Sequence, residues 1–529
     1  METRPFPPKL PQIADSEQPP LLRSLLQVIA DLQAQVRRLE DEIRRLQGGP
    51  PRPRLKPNTL EPAGTVDAEA AGVDGARRRR GPQRAKTAEL TIHATEKVPV
   101  ADVPAGAEFK GYRRFVVQDL EIRTHNTVYL LEQWWFPTGE YVTAPVPAAA
   151  VRGGHYGPQL ASYVLHQYYH AHVTQPLLLA QLHDWGIAIS AGQLNHLLTE
   201  GHDAFHQEKA ELKAAGLATS TYIQADDTGA RHQGRNGYCT YLGNERFAWF
   251  ASTDAKSRIN VLELLQAERR YAVNAEALAY MAQRGLAADH RELLAARPVD
   301  LGAPPDWAAH LRRLGVESPR AVTLATEGAL IGGLAAQGFN LDIGLVSDDA
   351  GQFDLFVHGL CWVHAERPLS HLVPLNESDR RAIAWVRRQV GSIYQDLKAY
   401  RPTPDPVLKD RITADFEALC ATETTCEPLN HVLRGLHRNQ AELLRVLERP
   451  DLPIHNNRSE NDLRDVVKKR KISAGTRSAD GRRCRDTFAS LKKTCRKQGV
   501  SFWAYLQDRV AGLNVIPSLA ELIRQPVPP

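Results

Sequence analysis

Four short runs decide the fold of this 529-residue chain: T-Y-I-Q-A-D-D-T at residues 221–228, Y-C-T-Y-L-G at 238–243, R-F-A-W-F-A-S-T-D at 246–254 and I-G-L-V-S-D-D at 343–349. All are rich in aromatic and β-branched residues, and Gly-containing turns separate the first three, which is the pattern of an antiparallel meander. A helix is expected around residues 259–266. Two helical, Pro-broken stretches lead up to about Leu341 and to the fourth run. Mostly helical sequence fills 377–447, and a last helix-rich segment starts at Asn456.

Three antiparallel strands, a helix, a fourth strand and then helices predict an α/β fold: a mixed sheet covered by helices, in the ribonuclease H-like order. Two of the strands end in acid, Asp226-Asp227 and Asp348-Asp349. One carboxylate of each pair can therefore meet at one sheet edge. Crowded carboxylates repel, and a divalent cation is the ordinary way to hold them together. Oxygen-only donors suit magnesium or manganese rather than zinc. Glu460, in N-N-R-S-E-N-D-L-R, is a third acid, in the first turn of a helix that Asn456 or Asn457 can cap. Singly, an Asp pair starts a turn and a first-turn Glu favours the helix dipole. The strand, strand, helix order of all three points to a shared site.

Basic residues crowd the same region. Residues 458–497 hold fourteen Lys or Arg against five Asp or Glu, a local +9 in a chain whose net charge is +5. The excess concentrates beside Glu460, and Arg458, Arg464, Lys468, Lys469, Arg470 and Lys471 are candidate phosphate contacts. Arg464 lies one turn from Glu460 on the same face.

Working toward the N-terminus, residues 175–184 and 190–200 read as two helices around a tight Trp185-Gly186-Ile187 turn, with Ser190 as N-cap, a helix-turn-helix pattern. Residues 109–146 look β-like: F-V-V-Q-D-L-E-I and T-V-Y-L-L-E-Q-W-W-F, separated by Arg123–Asn126 and closed by Pro137-Thr138-Gly139, predict a small hairpin domain. Arg77, Arg78, Arg79 and Arg80 form a basic run in a Pro/Gly/Ala-rich linker and are further candidate DNA contacts. Leu22, Leu25, Ile29, Leu32, Val36, Leu39, Ile43 and Leu46 alternate steps of three and four, a coiled-coil seam that predicts self-association.

With 43% hydrophobic and 24% charged residues, the composition is that of a globular chain of three or four units. No apolar run reaches the length of a membrane span, and the Pro-rich start lacks the apolar core of a signal peptide, so a cytoplasmic, nucleoid-associated protein is expected. None of the six cysteines (Cys239, Cys361, Cys420, Cys426, Cys484, Cys495) forms a C-x-x-C pair, which argues against a disulfide framework and a four-cysteine zinc site. Cys361 and Trp362 are expected to pack behind the sheet, with His364 at the site's edge. His166, His170 and His172 read as packing or surface groups.

The D-D-T-G at Asp226, S-D-D-A-G-Q-F at Asp348, C-W-V-H at Cys361, and N-N-R-S-E-N-D-L-R followed by R-K-I-S-A-G-T-R-S-A-D-G resemble the insertion-sequence-66 family of DDE transposases, from about Lys110 to Asp508. The resemblance implies a ribonuclease H-like catalytic domain interrupted by a helical insertion, an N-terminal coiled coil, and cut-and-join chemistry on transposon ends. It sets the catalytic and metal-holding triad on Asp226, Asp348 and Glu460. Two divalent ions, Mg2+ or Mn2+, about 3.5 to 4 Å apart, would serve phosphodiester cleavage and strand transfer. Implied partners are double-stranded DNA, a second copy of the chain, and small helper proteins of the same element.

The expected order is a disordered N-terminus (1–20), coiled coil (21–48), basic linker (49–108), small β domain (109–150), helical DNA-binding domain (151–218), catalytic domain (219–375, with an extra segment 270–341), helical insertion (376–450), and the rest of the catalytic domain with basic C-terminal helices (451–529). The chain departs from the family pattern in reading D-D-T for D-E-T and in having no cysteine before Cys239, so no zinc is expected. A nuclease without strand transfer and a domesticated DNA-binding protein are the alternatives the residues leave open.

Overall fold

The computed structural model describes residues 91–102, 106–147 and 155–526. The coiled-coil seam and Arg77–Arg80 lie outside them. In chain order the strands are β1 (Gln133–Trp135), β2 (Tyr141–Thr143), β3 (Tyr222–Gly229), β4 (Tyr238–Gly243), β5 (Ala248–Thr253), β6 (Tyr271–Ala272), β7 (Asp300–Leu301), β8 (Gly344–Ser347) and β9 (Val357–Leu360).

Five of them form the central sheet in the order β5-β4-β3-β8-β9. The pairs β3/β4 and β4/β5 are antiparallel, whereas β3/β8 and β8/β9 are parallel. The antiparallel meander and the acid-ended fourth strand are those expected from sequence. The fifth strand corrects a four-strand reading. V-H-G-L is short and interrupted by His358 and Gly359, so it carries little strand signal, and pairing with the buried β8 makes it a strand.

Side chains alternate across this sheet. One face turns Ile223, Ala225, Leu242 and Trp249 into a core that runs from Val164 to Ile523, joining the helical pair, the sheet and the C-terminal helices. The other face sets Cys239, Tyr241 and Phe250 against Leu463 and Val466 of the helix Asn457–Ser473. Helices Glu377–Tyr400, Pro406–Cys420 and Glu427–Arg438 build a separate core with Trp362, Ile393 and Phe416.

The outer edge of β5 is covered by the helix Ala479–Lys497. Backbone N–H groups of Ala248, Phe250 and Ser252 donate to Thr494 Oγ1, Ser490 Oγ and Asp486 Oδ2 at 3.1, 2.9 and 2.7 Å. Acceptors four residues apart on a helix meet donors two apart on a strand because the rises nearly agree, about 6.0 and 6.6 Å. An open strand edge is thereby closed.

Segment 270–341 is helical apart from β6 and β7. Its long helix, Pro319–Ala336, meets the backbone of β6 through Gly332 and Gly333, where an added Cβ would fall on the carbonyl oxygens of Ala272 and Arg270. Helices Gln175–Asp184 and Ala191–Thr199 match the expected pair. Ser190 and Gln193 form a reciprocal capping box at 3.2 and 3.0 Å.

The small β domain differs from expectation. Pro137-Thr138-Gly139 does not close a long hairpin but is the turn of a short one, β1 with β2. Residues 107–131 form no strand, and Phe115, Leu120, Val128 and Leu130 are exposed. Alternating apolar residues make a strand only when a partner covers one face, and none does so among the described residues.

Candidate active site

The register of the central sheet sets the two aspartate pairs. Parallel partners Tyr222 with Gly344 and Gln224 with Val346 fix the offset between β3 and β8. Carried two residues further, it brings Asp226 level with Asp348 and Asp227 level with Asp349. On β3, Asp226 stands opposite Tyr241 and Asp227 opposite Thr240. Asp226 therefore shares the face of Tyr241, which is covered by the helix bearing Glu460, and Asp227 takes the opposite face.

That helix is tied to β3 at its start. Gln224 Nε2 donates to the carbonyl of His455 at 2.9 Å, and Asn456 Nδ2 donates to the carbonyl of Ala225 at 3.0 Å. Asn456 does occupy the N-cap position, but its side chain binds the strand instead of the helix's own amides. The backbone N–H of Asn456 donates to Cys361 Sγ at 3.1 Å. Glu460, one turn on, is thus delivered over the end of β3.

The electrostatics record this convergence. Burial pushes the Asp226 carboxyl up to about 7, and the Asp348 charge, with smaller contributions from Glu460 and Asp227, pushes the same way. Glu460 Oε1 lies 3.3 Å from both His364 Nε2 and an Arg367 guanidinium nitrogen. Asp348 accepts from the N–H of Ala350 at 3.2 Å. The two remaining aspartates have other partners. Asp227 accepts from Lys256 Nζ at 3.1 Å and Gln352 Nε2 at 2.7 Å, and Asp349 accepts from Asn439 Nδ2 at 3.0 Å. Among the described residues no group of three His, Cys, Asp or Glu side chains stands close enough to hold a metal ion as arranged.

His364 sits beside Glu460, and buried Cys361 packs at the start of the Glu460 helix, whereas Trp362, expected behind the sheet, packs in the helical core against Phe416. Arg367 went unread in the sequence. It lies one turn beyond His364 on the helix Trp362–His371, so their shared face was the available signal.

The basic residues divide into two sets. Arg464, Lys468 and Lys471 are exposed and continue from Glu460 along one helix face. Arg458 lies 3.5 Å from Glu245. Lys469 and Arg470 turn inward: Lys469 Nζ donates to the Tyr168 carbonyl at 3.2 Å, and Arg470 reaches Thr228 Oγ1 at 3.3 Å and the Gly229 carbonyl. Lys492, Lys493 and Lys497 are spent on Asp462 and Asp465. The +9 run is therefore not one uniform surface, because the helix Ala479–Lys497 is built into the core.

Residues 346–483 match the model of the IS66 family of transposases. Over 315 residues the chain is 41% identical to y4jO, an uncharacterized protein of Sinorhizobium fredii, an alignment covering 58% of this chain and 98% of that protein. The chain belongs to the IS66 transposase family. No solved structure matches it. In this family member the matched range holds Asp348, His364, Arg367 and Glu460, whereas Asp226 lies outside it and joins them through the pairing of β3 with β8. No helix among the described residues is long and apolar enough to cross a membrane.

Proposed function

We propose that this protein is a DNA transposase of the DDE type, with a ribonuclease H-like catalytic domain that cleaves phosphodiesters at insertion-sequence ends and joins them to target DNA. The observation carrying this reading is the register of β3 with β8, which sets Asp226 level with Asp348, together with the tie of Asn456 to the Ala225 carbonyl, which starts the Glu460 helix beside them although Asp348 and Glu460 lie 122 and 234 positions from Asp226 in sequence. The sheet order, with the first strand central, the meander on one side and two parallel strands on the other, supports the fold assignment.

The donor set fits a hard divalent cation: Asp226, Asp348 and Glu460 offer only oxygen, and crowding raises the cost of leaving them uncompensated. These three residues would hold Mg2+ or Mn2+, which supplies charge compensation at a phosphodiester and a more acidic attacking hydroxyl. His364 and Arg367 hold the Glu460 carboxylate, and Arg367 brings positive charge to the same edge. Arg464, Lys468 and Lys471 supply a phosphate-facing stripe leading away from Glu460. The helical pair 175–184 and 191–199, the N-terminal coiled coil and the Arg77–Arg80 run complete the reading as DNA-recognition, self-association and DNA-tethering elements, and helper proteins of the same element are further partners.

Cleavage and strand transfer on the inverted repeats flanking the gene, in magnesium or manganese, test the proposal. Asp226→Asn, Asp348→Asn and Glu460→Gln should each lower cleavage by about a thousandfold or more while leaving DNA binding near wild type. Asp227→Asn and Asp349→Asn should retain cleavage. Activity on pre-cut ends distinguishes a transposase from a nuclease, and full activity in all three triad variants would refute the assignment.

A further inference from the structure

A cavity with an apolar floor and a cationic rim lies on the other side of the Glu460 helix. The turn Tyr168–His172, the residues Lys469–Thr476 and the helix Ala479–Lys497 enclose a cavity of about 60 Å³. One water centre takes about 10–15 Å³, so a compact group of about five heavy atoms fits. Five cations line it (Lys469, Arg470, Arg485, Lys492 and Lys493) against two carboxylates, Asp462 and Asp465.

The two carboxylates are already engaged. Lys492 and Lys493 both lie 3.1 Å from Asp465, while Lys493 and Lys497 lie 3.5 and 2.9 Å from Asp462. Lys469 has no carboxylate partner among the described residues; its Nζ sits 3.6 Å from the centre of the Tyr168 ring. Arg470 binds only neutral oxygens of Thr228 and Gly229. Two half-buried cations thus line the cavity with neutral partners only, an arrangement that favours an anion there.

Two neutral hydrogen-bonding groups point the same way. Ser473 Oγ and His172 Nδ1 are buried, line the cavity, and have no hydrogen-bond partner. A hydroxyl and an imidazole N–H are suitable donors to an oxyanion. His172 and Ala474, both at the cavity wall, adopt left-handed φ values of 62° and 57°, which non-glycine residues hold only when their surroundings impose them.

We propose that this cavity binds a phosphate group, with Lys469, Arg470, Ser473 and His172 as its contacts. The group could be the terminal phosphate of a DNA end or free phosphate. Only the first source rests on the transposase reading.

Calorimetric titration of the full chain with inorganic phosphate, in EDTA and at constant ionic strength, should show saturable one-site binding. Lys469→Met should weaken it by about tenfold or more, as for loss of a charged hydrogen-bond partner, and Ser473→Ala, which removes one hydroxyl and keeps the fold, by severalfold. Fluorescence anisotropy with 5′-phosphorylated and 5′-hydroxyl duplex ends then separates the sources. Tighter binding of the phosphorylated end, lost in Lys469→Met, assigns the site to DNA; equal binding of both ends assigns it to free phosphate. No saturable phosphate binding by the wild type, or undiminished binding by both variants, overturns the proposal, and neither result depends on cleavage activity.

Discussion

A carboxyl group buried beside two others keeps its proton, and Asp226 shows what that implies for stability. Its unfolded-state value is near 3.9, while burial and the Asp348 charge bring it to about 7 in the fold. Between these values the folded protein binds the extra proton, so unfolding free energy falls as pH rises, by at most about 1.4 kcal/mol per pH unit. His166, His172 and His206, each held to about 4 chiefly by burial, act in the opposite direction below about pH 6.5. The informative quantity is therefore the difference between wild type and Asp226→Asn. Urea unfolding in EDTA at pH 5 and pH 8 should show that the Asn variant gains relative stability at the higher pH, and that magnesium removes this advantage. Identical pH profiles for the two proteins would show that Asp226 titrates normally. The pairs Asp226-Asp227 and Asp348-Asp349 stand out in sequence because they close apolar strands, and Glu460 because it opens a helix in a basic run. The Glu460 contacts to His364 and Arg367 do not, since contact across 93 to 96 residues leaves no local pattern.

Helices and strands here are matched through small polar side chains. Asp486, Ser490 and Thr494 accept the outward N–H groups of β5, and each is buried. Ser490→Ala and Thr494→Val should each cost about 1–3 kcal/mol by leaving a buried donor unpaired, read as a fall in the urea midpoint. A change below about 0.5 kcal/mol in both would mean that water reaches the strand edge. The Glu460 helix makes a second test at this scale. Its exposed stripe predicts that Arg464→Glu with Lys468→Glu weakens binding to any DNA duplex and lowers the slope of log affinity against log salt by about two. Lys471→Gln should lower it by about one. An unchanged slope would remove the stripe from the DNA interface. A capping asparagine and the charge count pointed to a basic, helix-rich segment from Asn456, but a count of fourteen cations could not show that Lys492, Lys493 and Lys497 point inward.

At the scale of the whole molecule, the seam from Leu22 to Leu46 predicts an assembly larger than one chain, because an unpaired apolar stripe of that length favours association. Light scattering should give a smaller mass for a chain lacking residues 1–50 than for the full chain, and equal masses would exclude this seam as the contact. The exposed apolar side chains between Phe109 and Val146 are a second feature at this scale. They read as a β domain because alternation is a local property, whereas strand formation needs a covered face. Local pattern determined the meander, the acid-ended strands, the helical stretch 377–447 and the Ser190-capped pair, since each depends on residues within a few positions. Tertiary structure alone decided the fifth strand, the face on which Asp226 rather than Asp227 lies, the inward turn of Lys492, Lys493 and Lys497 in the basic run and the cavity beside Lys469. These depend on pairing offsets and packing between segments hundreds of residues apart, and such relations are set by the shared core and not by any stretch of chain.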